Sequence, residues 1–600
     1  MKKKAIALTI ALLLLLSLFA GCGGGTTPAT QAPATQAPAT EAPATQAPAT
    51  QAPATAEPTP EPTPEPTPEP TPASPYDFAA GKFEKDANGF PTAPYEYELP
   101  ISTTDEVLSF WTSTFMSQYI PEEGYGSMPL PQGMDQLTGI HIEYEVVPWD
   151  TRGTNFATLL AADDLPDIMA QGITFYNGSY YEAVEEGYFI NIHDYMDYCP
   201  SYIYEATHDK NDTKTYDSVF YTDDLIVAFY NMWMTTTYST NKVIRQDFVE
   251  KVGMKVADIL TWDDWFNVLS AIKSQIDTVE YPWPLTSAIE VKGYYVTSPS
   301  FDTLSFLNSS GLPDHFVKDG VVTFGDMTDG DKAFMQKMNE FYAAGLIDPN
   351  WGGYASSASF TDKIARGEVA IMDMAATEIS GYNNSNMDAD CDWTGLKRPV
   401  RYEGQVLHCG GDLNRVQAGS SSISAKCENI ELAVSWCDFR YSPYGSFYNS
   451  YGPQGVVWDY DADGNIRATE WALTHEMGFS WICSFYALNN IFEHGLEDTN
   501  RKLIYDGGEK ILAVRAFWRD YDYDAAYEFP VGCRMTAEEE KEINDLSGDI
   551  ATYILENYGL FLTGDKSFDE WDAYVDAIYA MGMQDIIDIY QSAYDRYLAA

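Results

Sequence analysis

Positively charged residues are scarce in this chain of 600 residues. It has 35 Lys and Arg against 89 Asp and Glu, which gives a formal net charge of −54. A surface of that sign repels nucleic acid and anionic lipid, so neither is expected as a partner. High acidity by itself is typical of a soluble surface and does not indicate a binding function.

Cysteine and histidine are also few. The eight cysteines lack CxxC spacing, and the seven histidines form no HExxH motif, since His475-Glu476 is followed by Met477, Gly478 and Phe479. These patterns indicate neither a zinc site nor a disulfide framework. One or two disulfides and free thiols both stay open as interpretations.

Long apolar runs are missing except at the N-terminus. Three lysines at positions 2–4 precede an apolar stretch over 5–20. This is the pattern of a secretory signal, too short and too one-sided for a stable membrane span. Small residues then lead to Cys22, in a pattern that resembles a bacterial lipobox with Phe19 in place of the usual leucine. We expect a signal peptide over 1–21 and a lipid on Cys22, and an ordinary secreted protein with a chance cysteine is the alternative.

The segment after the leader has no apolar periodicity. Gln-Ala-Pro-Ala-Thr units repeat, and Glu-Pro-Thr-Pro units then take over. Proline at this density blocks helices and sheet ladders, and such a segment cannot bury enough surface to offset its ordering entropy. We therefore expect a disordered, semi-rigid linker over 22–90 that holds a globular body away from the membrane.

Aromatic residues, by contrast, are abundant at 14% of the chain. Most of them are expected in the core. Flat aromatic faces also pack against the apolar faces of pyranose rings, so this supply suits a sugar-binding cleft as well.

The globular part opens with alternating strands and helices. Residues 107–111 are typical of a short buried strand, 140–147 alternate as a second strand, and 155–162 have helical spacing. A turn over 163–167 leads into a third strand. Strand, helix and strand at this spacing predict βαβ units and a parallel sheet, and hence an α/β fold.

Local signals predict element boundaries further along the chain. Thr261 with Asp264 and Thr536 with Glu539 have the spacing of capping boxes, which predicts a helix start at each. Asp319-Gly320 between two apolar pairs predicts a β-hairpin turn.

Several segments in a fixed order carry a family resemblance. They are Thr138–Ile140 with LLAADDLPDI over 159–168, GYFINI over 187–192, LTWDDWF over 260–266, FYAAGLIDP over 341–349, and the stretches 360–372 and 561–597. Together they resemble the extracellular solute-binding proteins of ABC importers. Within that family the match is to the large maltose-binding-protein-like lipoproteins of Gram-positive bacteria, and it covers about residues 100–600.

The resemblance implies a two-lobed periplasmic-binding-protein-like fold of type II, with discontinuous lobes joined by a hinge. The expected parts are an N-terminal lobe of 95–228 with 356–398, a C-terminal lobe of 229–355 with 399–535, and C-terminal helices over 536–600. Leu225–Tyr230 is the expected first hinge strand. A ligand would close the lobes by hinge bending.

Candidate ligand contacts follow from the sheet. In open α/β sheets, ligands meet the loops beyond the carboxyl ends of the strands. By that rule, and from the expected hinge crossings, the candidates are Trp111, Thr112, Phe115, Trp149, Asp150, Tyr176, Asn177, Tyr230, Trp233, Trp351, Tyr354 and Tyr451. Aromatic faces would stack on a sugar, and Asp150 and Asn177 would bond its hydroxyls. Each aromatic residue taken alone is more often a core residue.

A twelve-residue stretch late in the chain fits the EF-hand loop. Asp459, Asp461, Asp463 and Glu470 occupy ligand positions for Ca²⁺, with Gly464 at the bend. The competing interpretation is a β-hairpin, because an apolar run precedes the loop and Asp-Gly is a common turn. No cofactor is expected other than this calcium ion.

The sequence therefore predicts a monomeric, lipid-anchored substrate-binding protein without catalysis, held at the extracellular face of the cell membrane. It would deliver a carbohydrate or related solute to an ABC permease. A secreted glycoside hydrolase is an alternative, because 89 acidic residues allow two carboxylates about 5–9 Å apart across a cleft. A binding protein for peptides or other solutes is another, and a surface adhesin is a third that the lobe motifs disfavour.

Overall fold

The chain alternates between strands and helices over most of its length. The structure, a computed structural model, describes residues 74–114, 116–238, 240–286, 294–305, 313–354, 357–411, 413–475, 482, 493–504 and 508–599. Its strands are β1 (Val107–Thr114), β2 (His141–Pro148), β3 (Ile168–Ala170), β4 (Phe229–Trp233), β5 (Thr240–Arg245), β6 (His315–Lys318), β7 (Val321–Phe324), β8 (Ile371–Ala375), β9 (Trp393–Gly395), β10 (Val416–Ile423), β11 (Trp458–Tyr460), β12 (Ile466–Ala468) and β13 (Gly495–Glu497).

The α-helices lie between and after these strands. They are α1 (Pro129–Thr138), α2 (Arg152–Ala162), α3 (Gly172–Phe175), α4 (Tyr180–Glu185), α5 (Pro200–Thr207), α6 (Thr213–Val219), α7 (Gln246–Lys251), α8 (Trp262–Gln275), α9 (Tyr294–Thr297), α10 (Asp329–Ala343), α11 (Thr361–Ala365), α12 (Ile379–Ser385), α13 (Ile430–Phe439), α14 (Pro443–Tyr451), α15 (Glu470–Thr474), α16 (Gly508–Trp518), α17 (Ala537–Thr563), α18 (Trp571–Ile578) and α19 (Gln584–Ala599). No described helix is both long enough and apolar enough to cross a bilayer.

The first lobe is built on a six-stranded mixed sheet of order β13-β4-β10-β3-β1-β2. β1 is parallel to β2 and to β3, β10 is antiparallel to β3 and to β4, and β13 is parallel to β4. Five of the six strands therefore run in one direction, and their carboxyl ends lie at one edge of the sheet. The predicted strands, βαβ units and parallel pairing at the start of the chain are confirmed.

Both faces of this sheet are covered, as a central strand requires. Successive side chains of β1 point to opposite faces, so Phe110 enters the core that contains Trp436 of α13. Trp111 enters the core on the other face, with Phe156 of α2 and Ile173 of α3. We call this sheet and the helices on its two faces the first lobe.

The second lobe contains a smaller antiparallel sheet of order β8-β5-β9. A hairpin of β6 and β7 turns at Asp319 and Gly320, both with positive φ, as the sequence predicts. The largest core of this lobe gathers Trp262, Trp265 and Trp283 around these elements. Thr261 and Asp264 form the predicted capping box at the start of α8.

The C-terminal helices belong to the second lobe. α17 begins at the predicted capping box of Thr536 and Glu539 and ends at Gly564 in the left-handed conformation. Phe561 of α17 and Trp571 of α18 lie in the same core as Trp262. These helices therefore extend the second lobe.

Strand pairing corrects the predicted composition of the lobes. β8 and β9 lie within 356–398 and pair with β5 in the second lobe, so that segment does not belong to the N-terminal lobe. β10 and β13 lie within 399–535 and pair with β3 and β4 in the first lobe. The assignment of 356–398 is therefore wrong, and that of 399–535 is wrong for β10 and β13 but not for α16, which packs against β5 and β9 in the second lobe. Long-range strand pairing decides these positions, and it leaves no local pattern in the sequence.

The predicted linker is too long at its C-terminal end. Tyr76 forms a bridge with Ser102, Ala79 is fully buried, and Phe83 and Phe90 pack against the core of the first lobe. Aromatic side chains in this stretch supply the apolar surface that the proline-rich repeats lack. Residues 74–90 are thus part of the first lobe, and residues 22–73 lie outside the described residues, as does the signal peptide.

Six cysteines lie in the described part of the chain, and all six are buried free thiols. They are Cys199, Cys391, Cys409, Cys427, Cys437 and Cys533. Burial raises the pKa of each of these thiols, so they are held in their neutral form.

Candidate functional site

Three chain segments leave or reach the carboxyl edge of the first sheet and connect it to the second lobe. They run from β4 to β5, from β9 to β10, and from β13 towards α16. The crossing starts after Trp233, whereas Leu225–Ala228 lie in the core of the first lobe. The first crossing therefore begins at Met234, later in the chain than the predicted hinge strand.

Side-chain contacts bind the crossing segments to one another. The Thr235 and Thr499 hydroxyls are 2.9 Å apart, which joins the first crossing to the third. Arg398 Nη2 donates to the Tyr238 hydroxyl at 3.0 Å, and that hydroxyl also bonds the Tyr521 hydroxyl. Sequence reasoning missed Arg398, Tyr238 and Tyr521, which belong to no motif and meet through long-range folding.

The end of β1 is buried. Trp111 is 0% exposed, and its Nε1 donates to Asn155 Oδ1 at 2.6 Å. Thr112 is 2% exposed and donates to Glu493 Oε1 at 2.9 Å. Both residues are held inside the lobe by these bonds, and a solute contact of either residue stays a prediction. Phe115 lies outside the described residues.

Glu493, beneath Thr112, belongs to a buried ion pair that the sequence did not indicate. Arg440 Nη1 lies 3.1 Å from Glu493 Oε2, and both side chains are at most 3% exposed. The same nitrogen donates to the His494 carbonyl at 3.3 Å, and the guanidinium lies over the Trp436 ring. This network joins β1, the end of α13 and the start of β13.

The end of β2 is more accessible. Trp149 and Asp150 form a short 3₁₀ turn directly after β2, in which Trp149 is half-buried and Asp150 is exposed. The Arg152 guanidinium lies 3.3 Å from the centre of the Trp149 ring, and its Nη1 donates to the Trp149 carbonyl at 2.6 Å. These contacts fix the indole ring at the edge where the rule for open sheets places a ligand.

The chain after β3 places Tyr176 and Asn177 at the same edge. Tyr176 is half-buried and donates to Glu186 Oε2 at 3.1 Å, whereas Asn177 is exposed. Burial raises the pKa of Tyr176, and the hydrogen bond to Glu186 raises it further. A Cβ on Gly178 would come within 2.5 Å of the Tyr176 ring, so glycine is required for this close approach.

Trp233 and Tyr451 both adjoin the end of β13. Trp233 lies opposite Glu497 in the sheet, and its carbonyl accepts from Arg415 Nε at 2.8 Å. Tyr451, on α14, donates to Asp498 Oδ2 at 2.8 Å. Tyr451 therefore belongs to the first lobe, not to the second as its predicted segment implied. Tyr230 is half-buried earlier on β4, and burial raises the pKa of its hydroxyl.

Trp351 and Tyr354 lie in the second lobe. Tyr354 donates to Asp348 Oδ2 at 3.0 Å, and Lys363 Nζ lies 2.7 Å from the same oxygen. Burial alone would raise the pKa of Asp348, but Lys363 and the other donors around this carboxylate lower it below its usual value. Trp351 packs against the core of the second lobe, under Gly559 of α17.

The predicted calcium loop folds as a hairpin of β11 and β12. Asp461 Oδ1 accepts the backbone N–H groups of Asp463 and Asn465, and Arg467 Nε lies 3.4 Å from Asp461 Oδ2. Across the described residues, no three acidic, histidine or cysteine side chains are grouped so that they could hold a metal ion. These contacts fit the hairpin better than a calcium site, and calcium binding by Asp459, Asp461, Asp463 and Glu470 stays a prediction.

Comparison with known proteins identifies the family. Residues 129–443, just over half of the chain, match the family model of the bacterial extracellular solute-binding proteins. The chain belongs to this family, as the order of its motifs predicted.

Individual relatives extend over most of the chain. The fructooligosaccharide ABC transporter substrate-binding protein FusA of Streptococcus pneumoniae is 23% identical over 513 residues, which cover 78% of this chain and 87% of that protein. The structure of FusA in complex with kestose has a TM-score of 0.62 at 18% identity, over 82% of this chain and 100% of that one. The structure of the alginate-binding protein AlgQ2 has a TM-score of 0.61 at 17% identity, over 82% of this chain and 99% of that one. The predicted two-lobed α/β fold of type II is confirmed.

Proposed function

We propose that this protein is a lipid-anchored extracellular substrate-binding protein that captures an oligosaccharide between its lobes and delivers it to an ABC permease. The observation that carries the proposal is the carboxyl edge of the first sheet, which presents the half-buried rings of Trp149 and Tyr176 and from which three bonded segments cross to the second lobe. FusA, a fructooligosaccharide-binding relative that aligns over 87% of its own length, supports a carbohydrate as the solute.

The residues at the edge suit sugar recognition. Trp149 and Tyr176 offer rings for stacking on apolar sugar faces, and Asp150 and Asn177 are exposed beside them as hydrogen-bond partners for hydroxyls. Closure of the lobes would bring Tyr354 and its neighbours in the second lobe towards the same solute. Contacts made in the closed state alone would drive that closure as a population shift.

The anchor is a separate part of the proposal. Cys22 and the proline-rich segment suit a tether that keeps the carrier near its permease. Growth of the producing cells with a labelled fatty acid should label the wild-type protein and not Cys22→Ala. Equal labelling of both proteins would refute lipidation at Cys22.

A ligand screen tests solute capture. Thermal unfolding would be followed with kestose, nystose and neutral gluco-, manno- and xylo-oligosaccharides. A solute that binds the folded state alone stabilises it by about 2.7 kcal/mol at 100 times its Kd, so it raises the Tm. If no oligosaccharide raises the Tm, the proposal of carbohydrate capture is wrong, and release of shorter sugars during incubation would indicate a hydrolase instead.

A paired substitution then locates the site. Trp149→Ala should weaken affinity for the sugar found by about tenfold, the contribution of one stacked ring. Tyr402→Ala is the control, because Tyr402 is an aromatic residue 62% exposed in a turn of the second lobe. Titration by calorimetry measures both, and unchanged affinity in Trp149→Ala would place the solute elsewhere.

A further inference from the structure

We infer that a contact between the two lobes, formed by Tyr221, Arg534 and Glu540, is a latch that holds the solute-free protein open and is released when a solute closes the lobes. We call these three residues the interlobe latch. This role rests on the proposed function, in which a solute draws the lobes together. The latch is a connection between the lobes in addition to the three crossing segments, and it is not covalent.

The two sides of the latch belong to different lobes. Tyr221 packs against the core of the first lobe that contains Trp111. Met535, the neighbour of Arg534, packs against the core of the second lobe, and Glu540 lies on α17. Tyr221 is 313 residues from Arg534 and 319 residues from Glu540 along the chain, so the fold alone brings them together.

Arg534 reaches across to the backbone of the first lobe. Its Nε donates to the Tyr221 carbonyl at 2.6 Å, and its Nη2 donates to the Phe220 carbonyl at 3.1 Å. Its Nη1 donates to the Val531 carbonyl of its own segment at 2.6 Å. The planar guanidinium therefore bonds both lobes, and hydrogen bonds from a charged donor are stronger than those between neutral groups.

The side chain of Tyr221 forms the other half of the latch. Its hydroxyl donates to Glu540 Oε1, and the Arg534 guanidinium lies 5.1 Å from the centre of its ring. The rings of Tyr180 and Tyr181 lie 4.8 and 5.5 Å from the Tyr221 ring, centre to centre. Burial raises the pKa of Tyr221, and the Glu540 carboxylate raises it further, so the hydroxyl keeps its proton and donates at neutral pH.

The second lobe holds its own side of the latch in place. Arg596 of α19 donates to the two Glu539 oxygens at 2.9 and 2.6 Å, and to the Arg534 carbonyl at 2.9 Å. Glu539 also closes the capping box with Thr536 at the start of α17. These bonds lie within the second lobe, so they position Arg534 and Glu540 whether or not the first lobe is in contact. The latch can therefore break and re-form while α17 keeps its place.

The candidate solute contacts of both lobes bond within their own lobes while the latch is formed. Tyr176 of the first lobe donates to Glu186, and Tyr354 of the second lobe donates to Asp348. To meet on one solute, the two rings need a rotation of the lobes about the crossing segments. Hydrogen bonds of about 3 Å do not survive a rotation that moves their atoms apart. The latch therefore belongs to the open arrangement.

A latch on the open arrangement weakens the binding of every solute by the same factor. It lowers the fraction of the protein that is ready to close, and the apparent Kd is the intrinsic Kd divided by that fraction. Loss of the latch should therefore strengthen binding equally for all solutes. A residue that touches the solute would instead affect different solutes to different extents.

Two substitutions remove the latch bonds. Tyr221→Phe keeps the ring and removes the bond to Glu540, so affinity should rise about threefold. Arg534→Met removes both bonds to the first lobe, so affinity should rise about tenfold. Tyr402→Phe and Arg366→Met are the matched controls, because both residues are exposed in the second lobe. Calorimetric titration with kestose, and with each neutral oligosaccharide that raises the Tm, measures the affinities.

Small-angle scattering tests the latch without any ligand. The solute-free double variant Tyr221→Phe with Arg534→Met should have a smaller radius of gyration than the wild-type protein, because the closed arrangement is more compact. The double control Tyr402→Phe with Arg366→Met should match the wild-type protein.

The outcomes separate the latch from the proposed function. Affinity that is unchanged or weaker in both latch variants would overturn the latch and leave carbohydrate capture intact. A factor that differs from one sugar to another would also overturn it, because Tyr221 or Arg534 would then contact the solute. If no sugar binds any of the proteins, carbohydrate capture is refuted, and the scattering decides alone. An unchanged or larger radius of gyration in the double variant would then refute the latch as well.

Discussion

The ends of β1 and β2 are neighbours in one sheet, yet they differ in burial and in role. Thr114 lies opposite Pro148 in the register, so both strands end at the same level. Trp111 near the end of β1 is fully buried and bonded to Asn155, whereas Trp149 after β2 is half-buried under Arg152. The carboxyl edge of a sheet thus supplies two kinds of aromatic residue, one enclosed in the core and one with part of its ring at the surface.

The largest loss of stability is expected when Trp111, the buried residue of this comparison, is replaced. Trp111→Ala should lower the free energy of unfolding by about 3–5 kcal/mol, because it opens a cavity between Phe156 and Phe175 and leaves the Asn155 amide oxygen without its donor. Urea denaturation measures the loss. Trp111→Phe should cost less, since it keeps a ring, and Trp471→Ala at an exposed position should cost least. Equal losses in all three variants would contradict the distinction.

The buried ion pair beneath Thr112 gives the next effect. Glu493→Gln leaves the Arg440 charge buried without its counter-charge, which should lower the free energy of unfolding by about 3 kcal/mol. The double variant Arg440→Met with Glu493→Leu should recover much of that loss, because it removes both charges together. Urea denaturation of the wild-type protein and of the two variants measures these free energies of unfolding. If the double variant is less stable than Glu493→Gln, the ion pair stabilises the fold through more than the neutralisation of one buried charge by the other.

Sequence reasoning found the parts of this comparison that depend on local pattern. It predicted β1, β2 and the helix that follows β2, since alternation and helical spacing are properties of short stretches. It could not separate Trp111 from Trp149, because burial depends on Asn155, Phe175 and Arg152, which the fold brings together. For the same reason it assigned β8 and β10 to the wrong lobes, since each strand pairs with a partner more than 100 residues away.

A third prediction concerns a buried carboxyl group of the first lobe and the pH dependence of the stability of the fold. Burial raises the pKa of Asp438 to about 7, although donors from Tyr97, Ser201 and Tyr202 oppose the rise. The folded state therefore holds a proton that the unfolded chain releases near pH 4, so the stability from this group is full below about pH 4 and is lost as pH rises to 7.

Asp438→Asn tests that assignment. The wild-type protein should lose stability relative to this variant between pH 4 and 7, by at most about 1.4 kcal/mol per pH unit. Above pH 7 the difference should stay constant. A difference that is flat from pH 4 to 7, measured by denaturation at each pH, would show that Asp438 does not titrate in this range.

The smallest loss of stability is expected at the more accessible strand end, where Arg152 covers Trp149 after β2. Arg152→Met keeps much of the aliphatic stem over Trp149 but removes the guanidinium and its bond to the Trp149 carbonyl, which should cost about 1 kcal/mol or less in unfolding free energy. Because the indole ring is then less fixed, its fluorescence should change, and affinity for the captured sugar should fall a few-fold. Arg467→Met is the matched control, since Arg467 is 58% exposed and pairs with Asp461 on a hairpin. A stability loss as large as that of Trp111→Ala would mean that Arg152 supports the fold, and the contrast between the two strand ends would not hold.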